Sequence, residues 1–114
     1  MKLPELEELY RRYRMDLYRY LCFLTHDPVQ AEDLLSETFV RVIKRLPTFR
    51  GECEVKTWLF GIARNIWVVY LRAQGYSYQE IAQKLQITEA SARVVEHRTR
   101  AWLKATLQKE GYDE

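Results

Sequence analysis

At 114 residues the chain has room for one domain or two very small ones. Its 47% hydrophobic share, with 13% aromatics, is enough to form a core and excludes a collagen-like, low-complexity or disulfide-stapled chain. Eighteen Lys plus Arg against 16 Asp plus Glu leave a net charge of only +2, so any nucleic-acid binding has to come from a local basic face.

Met1 to Glu8 carries a proline and three acids where a secretory signal has a basic and then an apolar stretch. No apolar run approaches the roughly 20 residues that cross a bilayer. Both features predict a cytoplasmic protein. From Leu6 the apolar residues Leu6, Leu9, Tyr10, Tyr13, Leu17, Tyr20, Leu21 and Leu24 recur in steps of three and four, drawing one stripe on a helix that opens near Pro4 and fades at His26. Asp27-Pro28 then supplies an N-cap oxygen and a residue suited to the first helical position. The second helix runs to about Leu46, with Ala31, Leu34 or Leu35, Phe39, Val42, Ile43 and Leu46 inward, and Pro47 stops it.

Thr48 to Val55, with Gly51 inside, has no period and reads as a loop that carries Phe49, Arg50 and Glu52. A third helix from about Lys56 to Arg72 buries Trp58, Leu59, Ile62, Ala63, Ile66 and either Val69 or Tyr70. Lys56, Phe60, Arg64 and Arg72 lie off that stripe at multiples of four, and Gly75 ends the helix. Ser77-Tyr78-Gln79-Glu80 is a capping box opening a short helix with Ile81, Ala82 and Leu85 on its apolar side. Gln86-Ile87 turns, and Thr88 caps a longer helix from Glu89 to about Gln108, with Ala92, Val95, Thr99, Trp102, Leu103 and Leu107 inward. The polar tail beyond is expected to fray. The prediction is an all-α chain, an N-terminal three-helix bundle followed by a C-terminal helix-turn-helix, divided at residues 1–72 and 73–114.

A short helix, a tight turn and a longer helix make the arrangement whose second helix enters the DNA major groove. Between Ser91 and Lys104 stand Arg93, Arg98, Arg100 and Lys104 against Glu96 alone, with His97 beside them. Arg93, His97 and Arg100 share a face away from Ala92, Val95 and Trp102. Spacing and charge alone leave a second reading open, a solvated basic face on an ordinary bundle helix.

Two motif blocks distinguish them. Tyr76-Ser77-Tyr78-Gln79-Glu80-Ile81-Ala82, then Leu85, Ile87-Thr88 and His97-Arg98, resembles the promoter-reading domain of extracytoplasmic-function (ECF) sigma factors. Upstream, Ala31-Glu32-Asp33-Leu34-Leu35-Ser36-Glu37-Thr38-Phe39 and Thr57-Trp58-Leu59-Phe60-Gly61-Ile62-Ala63-Arg64-Asn65 resemble the other domain of that family. The resemblance spans about Leu9 to Leu107.

It implies a protein that directs bacterial core RNA polymerase to promoters, with no cofactor, metal or small-molecule substrate and no catalysis of its own. The implied polymerase-docking surface is Asp33, Ser36, Glu37 and Arg41, where an exposed Glu37–Arg41 pair alone would be worth only about 0.3 kcal/mol. Ser36 stands where the family more often has Gln. Opening of the −10 element falls to Phe49, Arg50, Lys56, Arg64 and Asn65, since melted DNA needs aromatic faces for bases and cations for phosphates. Phe49 could equally plug the bundle, and Trp58 belongs to the core. The −35 element would be read by Ser91, Arg93 and Val94, with Arg93 bidentate to guanine, while His97, Arg98 and Arg100 hold phosphates. Glu96 departs from the family's apolar residue and is expected to face solvent, accept from a cytosine amine or repel the backbone. Many family members have an anti-sigma partner.

The segment between the blocks is shorter than the family's. Val68 to Arg72 reads as the end of the third helix, as the helix normally preceding the helix-turn-helix, or as a splice of both. Promoter elements ~16 base pairs apart lie roughly 55 Å from each other, whereas three linker residues reach ~10 Å. A contiguous chain is therefore not expected to engage both elements at once. The competing functions are a helix-turn-helix repressor independent of polymerase, to which the Asp33 and Asn65 blocks are superfluous, and an enzyme. For the latter, Cys22 and His26 are i, i+4 but have no third ligand or orienting acid at recognisable spacing. In a reducing cytosol Cys22 and Cys53 are expected to be small buried apolar residues rather than a bridge.

Overall fold

The computed structural model describes residues 6–51 and 53–109, excepting the side chains of 106–109, so Pro4, Glu52, the inward placement of Leu107 and the tail lie outside the described residues. Its elements are five helices, α1 (Leu6–Thr25), α2 (Pro28–Arg45), α3 (Val55–Ala73), α4 (Tyr78–Leu85) and α5 (Glu89–Lys109), with a 3-10 turn at Leu46–Thr48. The chain divides into two compact units, Met1–Arg64 and Asn65–Glu114, with the division inside α3. No strand occurs among the described residues, so the fold is all-α as the periodicity predicts.

In the first unit α1 and α2 pack along their length. His26 ends α1 with a positive φ of 55°, its N–H bonded to Cys22 O at 2.9 Å. Asp27 caps α2, its Oδ1 accepting from Val29 N at 3.0 Å and Gln30 N at 3.3 Å, and Pro28 follows where no N–H is needed. Leu9, Leu17 and Leu21 of α1 are buried, as are Ala31, Leu34, Leu35, Phe39 and Val42 of α2. Each large aliphatic so buried contributes about 1.5–3 kcal/mol by leaving water.

Four expectations change here. Ile43 is half exposed because Val42, one residue earlier and about 100° away, takes the inward position beside Phe39 and Leu46. Tyr10 is 44% exposed, although its ring meets Phe39 edge-on at 5.0 Å. Pro47 lies within the 3-10 turn rather than outside helical structure. Cys53 is exposed and Cys22 half-buried, both as free thiols, so neither is a core residue.

In the second unit α3 continues unbroken through the segment Val68–Arg72. Its buried residues are Ile66, Trp67, Val68 and Leu71, with Val69 and Tyr70 only partly covered; three consecutive buried positions mean that more than one side of the helix is enclosed. Gly75, at φ 101°, closes α3 with Tyr76 N bonded to Leu71 O, a cap that a side chain would strain. The capping box then forms in full: Glu80 N to Ser77 Oγ and Ser77 N to Glu80 Oε1, both 3.1 Å. The Ser77 backbone N–H, and after it the Ser77 side chain, hold the Glu80 carboxyl below the usual carboxylate range. Gln86, at φ 55°, ends α4 and aims Ile87 N at Ala82 O. Thr88 Oγ1 accepts from Ser91 N at 3.0 Å and opens α5. Helices α4 and α5 pack together, with Ile81, Ala82 and Ala92 buried.

Candidate functional site

The sequence places candidates on three surfaces, described in chain order. On α2, Asp33 and Ser36 are exposed while Glu37 and Arg41 are partly covered. Arg41 Nε donates to Glu37 Oε1 at 2.7 Å, with side-chain exposures of 11% and 26%. The pair is thus drier and shorter than the exposed i, i+4 contact assumed from spacing, and it holds Arg41 flat against the helix. Ser36 also borders a shallow apolar groove of about 360 Å³ with Tyr10, Phe39, Val40 and Ile43.

At the start of α3, Phe49 is 4% exposed and its ring packs on Trp58 at 4.9 Å. Of its two readings, plugging the bundle is the one realised; no open face of Phe49 remains for a base. Trp58 itself is only half-buried. Arg50 and Lys56 are exposed, and Arg64 and Asn65 partly so. Lys56 Nζ lies 3.6 Å from Asp16 Oδ2 and 5.5 Å from the centre of the Phe60 ring, tying α3 to α1. The Tyr20 and Phe60 rings stack at 5.1 Å. Burial raises the Tyr20 phenol pKa, and the nearby Arg64 guanidinium offsets part of that rise.

On α5, Ser91, Arg93, Val94, His97, Arg98 and Arg100 are all exposed. The Ser91 hydroxyl is already engaged, accepting from Thr88 Oγ1 at 2.9 Å. Arg93 Nη2 is 3.4 Å from Glu89 Oε1, and its guanidinium lies over the Tyr78 ring at 4.8 Å. Arg72, from the end of α3, lies over the same ring at 4.4 Å and donates to Tyr76 O. Two cations on one aromatic face system are individually worth about 0.5–1 kcal/mol where exposed.

Glu96 contradicts all three expectations for it. It is 1% exposed and accepts from the Tyr78 hydroxyl at 2.8 Å. Arg100 Nε lies 3.5 Å from its Oε2, and His97 Nε2 3.8 Å from its Oε1. The carboxylate therefore points into the α4–α5 interface, where a phenol donates to it and the Arg100 guanidinium stands beside it, with the His97 imidazole nearby. Sequence reasoning missed Tyr78 and Arg72 as partners of the basic helix. The signal available was the simultaneous presence of a Tyr in the capping box and a carboxylate at an apolar position.

No cluster of three or more His, Cys, Asp or Glu suited to a metal occurs among the described residues. No described helix is long and apolar enough to cross a membrane.

Comparison with known proteins gives these surfaces a family. The sequence model described as Sigma-70 region 2 matches residues 9–76, from the first turn of α1 to the residue before the Ser77 cap. The chain is similar to the ECF RNA polymerase sigma factor SigX of Bacillus subtilis, 40% identical over 77 residues, which are 68% of this chain and 38% of that protein. It is also similar to two others from the same organism. The RNA polymerase sigma factor YlaC is 34% identical over 87 residues, 75% of this chain and 50% of that one. The ECF RNA polymerase sigma factor SigM is 42% identical over 67 residues, 59% and 40% of the two chains. The aligned part thus spans half or less of each relative's length. The segment Val68–Arg72, continuous with α3, lies inside the stretch that the family model matches. With α1, α2 and α3 matched in order, the chain belongs to the sigma-70 region 2 family, among the ECF sigma factors.

Proposed function

We propose that the chain acts as a sigma factor: it docks on bacterial core RNA polymerase and directs it to promoter DNA. The observation that carries this reading is the region 2 match over residues 9–76, with the Asp33 block on the polar face of α2. Asp33, Ser36, Glu37 and Arg41 form the docking surface, the half-buried Glu37–Arg41 pair presenting a fixed arrangement of charge. Arg50, Lys56, Arg64 and Asn65 hold the melted −10 strand, and Phe49 supports them from within.

The basic helix α5 reads the −35 element. Arg93, steadied by Glu89 and the Tyr78 ring, meets a base edge, and Arg98 meets phosphate. Arg100 divides its charge between phosphate and the buried Glu96, and the His97 imidazole stands beside both. Residues 1–72 and 73–114 are the corresponding working parts. The polymerase supplies the chemistry; the chain itself acts on no small molecule, works in the cytoplasm where the polymerase is, and is open to control by an anti-sigma partner.

The test is size-exclusion chromatography with core polymerase lacking sigma. Co-elution that is lost on Asp33→Arg is expected. Duplex-DNA binding without co-elution would overturn the reading in favour of a polymerase-independent repressor.

A further inference from the structure

Helix α5 carries two Glu–Arg pairs at i, i+4 that differ in one respect. Glu89 and Arg93 are 53% and 52% exposed and stand 3.4 Å apart. In the second pair Arg100 is 59% exposed, while Glu96, 3.5 Å away, is 1% exposed. An exposed pair changes partners at little cost, so Arg93 can leave Glu89 for a base edge. A cation that leaves a buried carboxylate strands a charge away from water, which is strongly unfavourable. Arg100 is therefore the less releasable of the two cations, although it is the more exposed.

Stability does not require this arrangement. Apolar residues in place of a buried ion pair are often neutral or stabilising, and the neighbours of Glu96 on the inward side of α5, Ala92 and Thr99, are small. The Tyr78 hydroxyl donates to Oε1 at 2.8 Å, which leaves Oε2 facing the Arg100 guanidinium. What the carboxylate adds, and an apolar residue would not, is a hold on a cation that shares a face of α5 with Arg93.

We propose that Glu96 is a positioning residue that holds the Arg100 guanidinium back from DNA phosphate and so lowers the sequence-independent part of duplex binding. The inference deepens the −35 reading of α5 and rests on it. Phosphate contacts supply affinity without sequence information, and base edges supply discrimination. With Arg93 releasable and Arg100 retained, the helix keeps mobile the cation that reads a base and restrains one that would grip any sequence.

The experiment measures anisotropy of two labelled duplexes of unrelated sequence with the full chain across a salt series. Glu96→Gln keeps an oxygen for the Tyr78 hydroxyl and removes the charge. It should tighten both duplexes by the same factor, about threefold or more at low salt, and steepen the slope of log K against log salt by about 1, as one further phosphate contact does. Arg100→Ala should cost the parent protein about twofold and the Glu96→Gln variant about sixfold. A purely structural role predicts the opposite sign, since a loosened α4–α5 interface binds DNA less well. The double variant Tyr78→Phe with Glu96→Leu, which leaves no buried polar group unpaired, should tighten in the same way and serves where Tm shows Glu96→Gln to be poorly folded. Unchanged or weaker binding in the folded variants would overturn the proposal, as would an equal cost of Arg100→Ala in parent and variant. Tightening on one duplex alone would overturn it in favour of base readout by Glu96. Duplex binding indifferent to Arg93→Ala and Arg98→Ala would instead remove the −35 reading itself, so the two failures are distinguishable.

Discussion

Tyr78 and Glu96 stand 18 positions apart and share one hydrogen bond, which turns a residue that looks misplaced into a fixed part of the α4–α5 interface. A buried carboxylate is costly unless its oxygens are occupied, and here the phenol takes Oε1 while Arg100 approaches Oε2. Tyr78→Phe removes the donor and leaves the acceptor buried, so urea denaturation should show a loss of about 1–3 kcal/mol. Glu96→Leu in that background removes the stranded group as well. The double variant should regain most of the loss, a coupling that a double-mutant cycle reads directly. Losses that simply add across Tyr78→Phe, Glu96→Leu and the double variant would show that the two side chains are not coupled. From the sequence, Glu96 was visible as a departure and its burial was not, because periodicity compares neighbours three and four apart and is blind to a phenol on another helix.

At the scale of the element, punctuation was the most legible feature. Asp27-Pro28, Ser77 with Glu80, Gly75 and Thr88 all sit where the caps form, because each satisfies backbone groups that no other local residue can reach. The inward faces were less legible. Val69 or Tyr70 was expected inside α3, and Trp67, Val68 and Leu71 are there instead, because a helix enclosed on more than one side gives no single stripe to extrapolate. Phe49 was undecidable for a different reason: a loop has no period, and only the position of Trp58 turns the ring inward.

The capping box also predicts a pH response. The Glu80 carboxyl is held low by its bonds to Ser77, so its contribution to α4 is fully present above the ordinary glutamate range and is lost as pH falls through the depressed folded value. Ser77→Ala should cost about 1 kcal/mol at neutral pH, and the difference from the parent protein should shrink in acid. Urea titrations at the two pH values measure it. A difference independent of pH would mean that the Ser77 side chain plays no part in holding the Glu80 carboxylate.

For the whole molecule, the decisive fact is how little chain separates the two motif blocks. Residues 65–73 are helical, and Gln74 to Tyr76 are taken up in closing α3, with Tyr76 N on Leu71 O and Arg72 donating to Tyr76 O. Nine helical residues at 1.5 Å and four extended ones at 3.3 Å give a contour of only ~27 Å from Asn65 to Ser77. That is about half of the roughly 55 Å between elements ~16 base pairs apart. Footprinting of a polymerase complex should therefore show one promoter element protected per chain. Protection of both elements by a single chain would refute this and imply that the Gly75 cap opens on DNA. The family, the all-α class and the order of the helices were legible in the motifs, whereas the division within α3 was not, since a continuous helix carries no mark of where one packing unit yields to the next.

The pairing of Tyr78 with Glu96 also sets a rule for transplantation. A helix grafted here from a relative with an apolar residue at this point would leave the Tyr78 hydroxyl facing hydrocarbon, and this α5 grafted onto a host without the phenol would bury a carboxylate whose Oε1 has lost its donor. The proposed −35 reading is therefore not portable as one helix: α4 and α5 have to travel together, or positions 78 and 96 have to be rewritten as a pair.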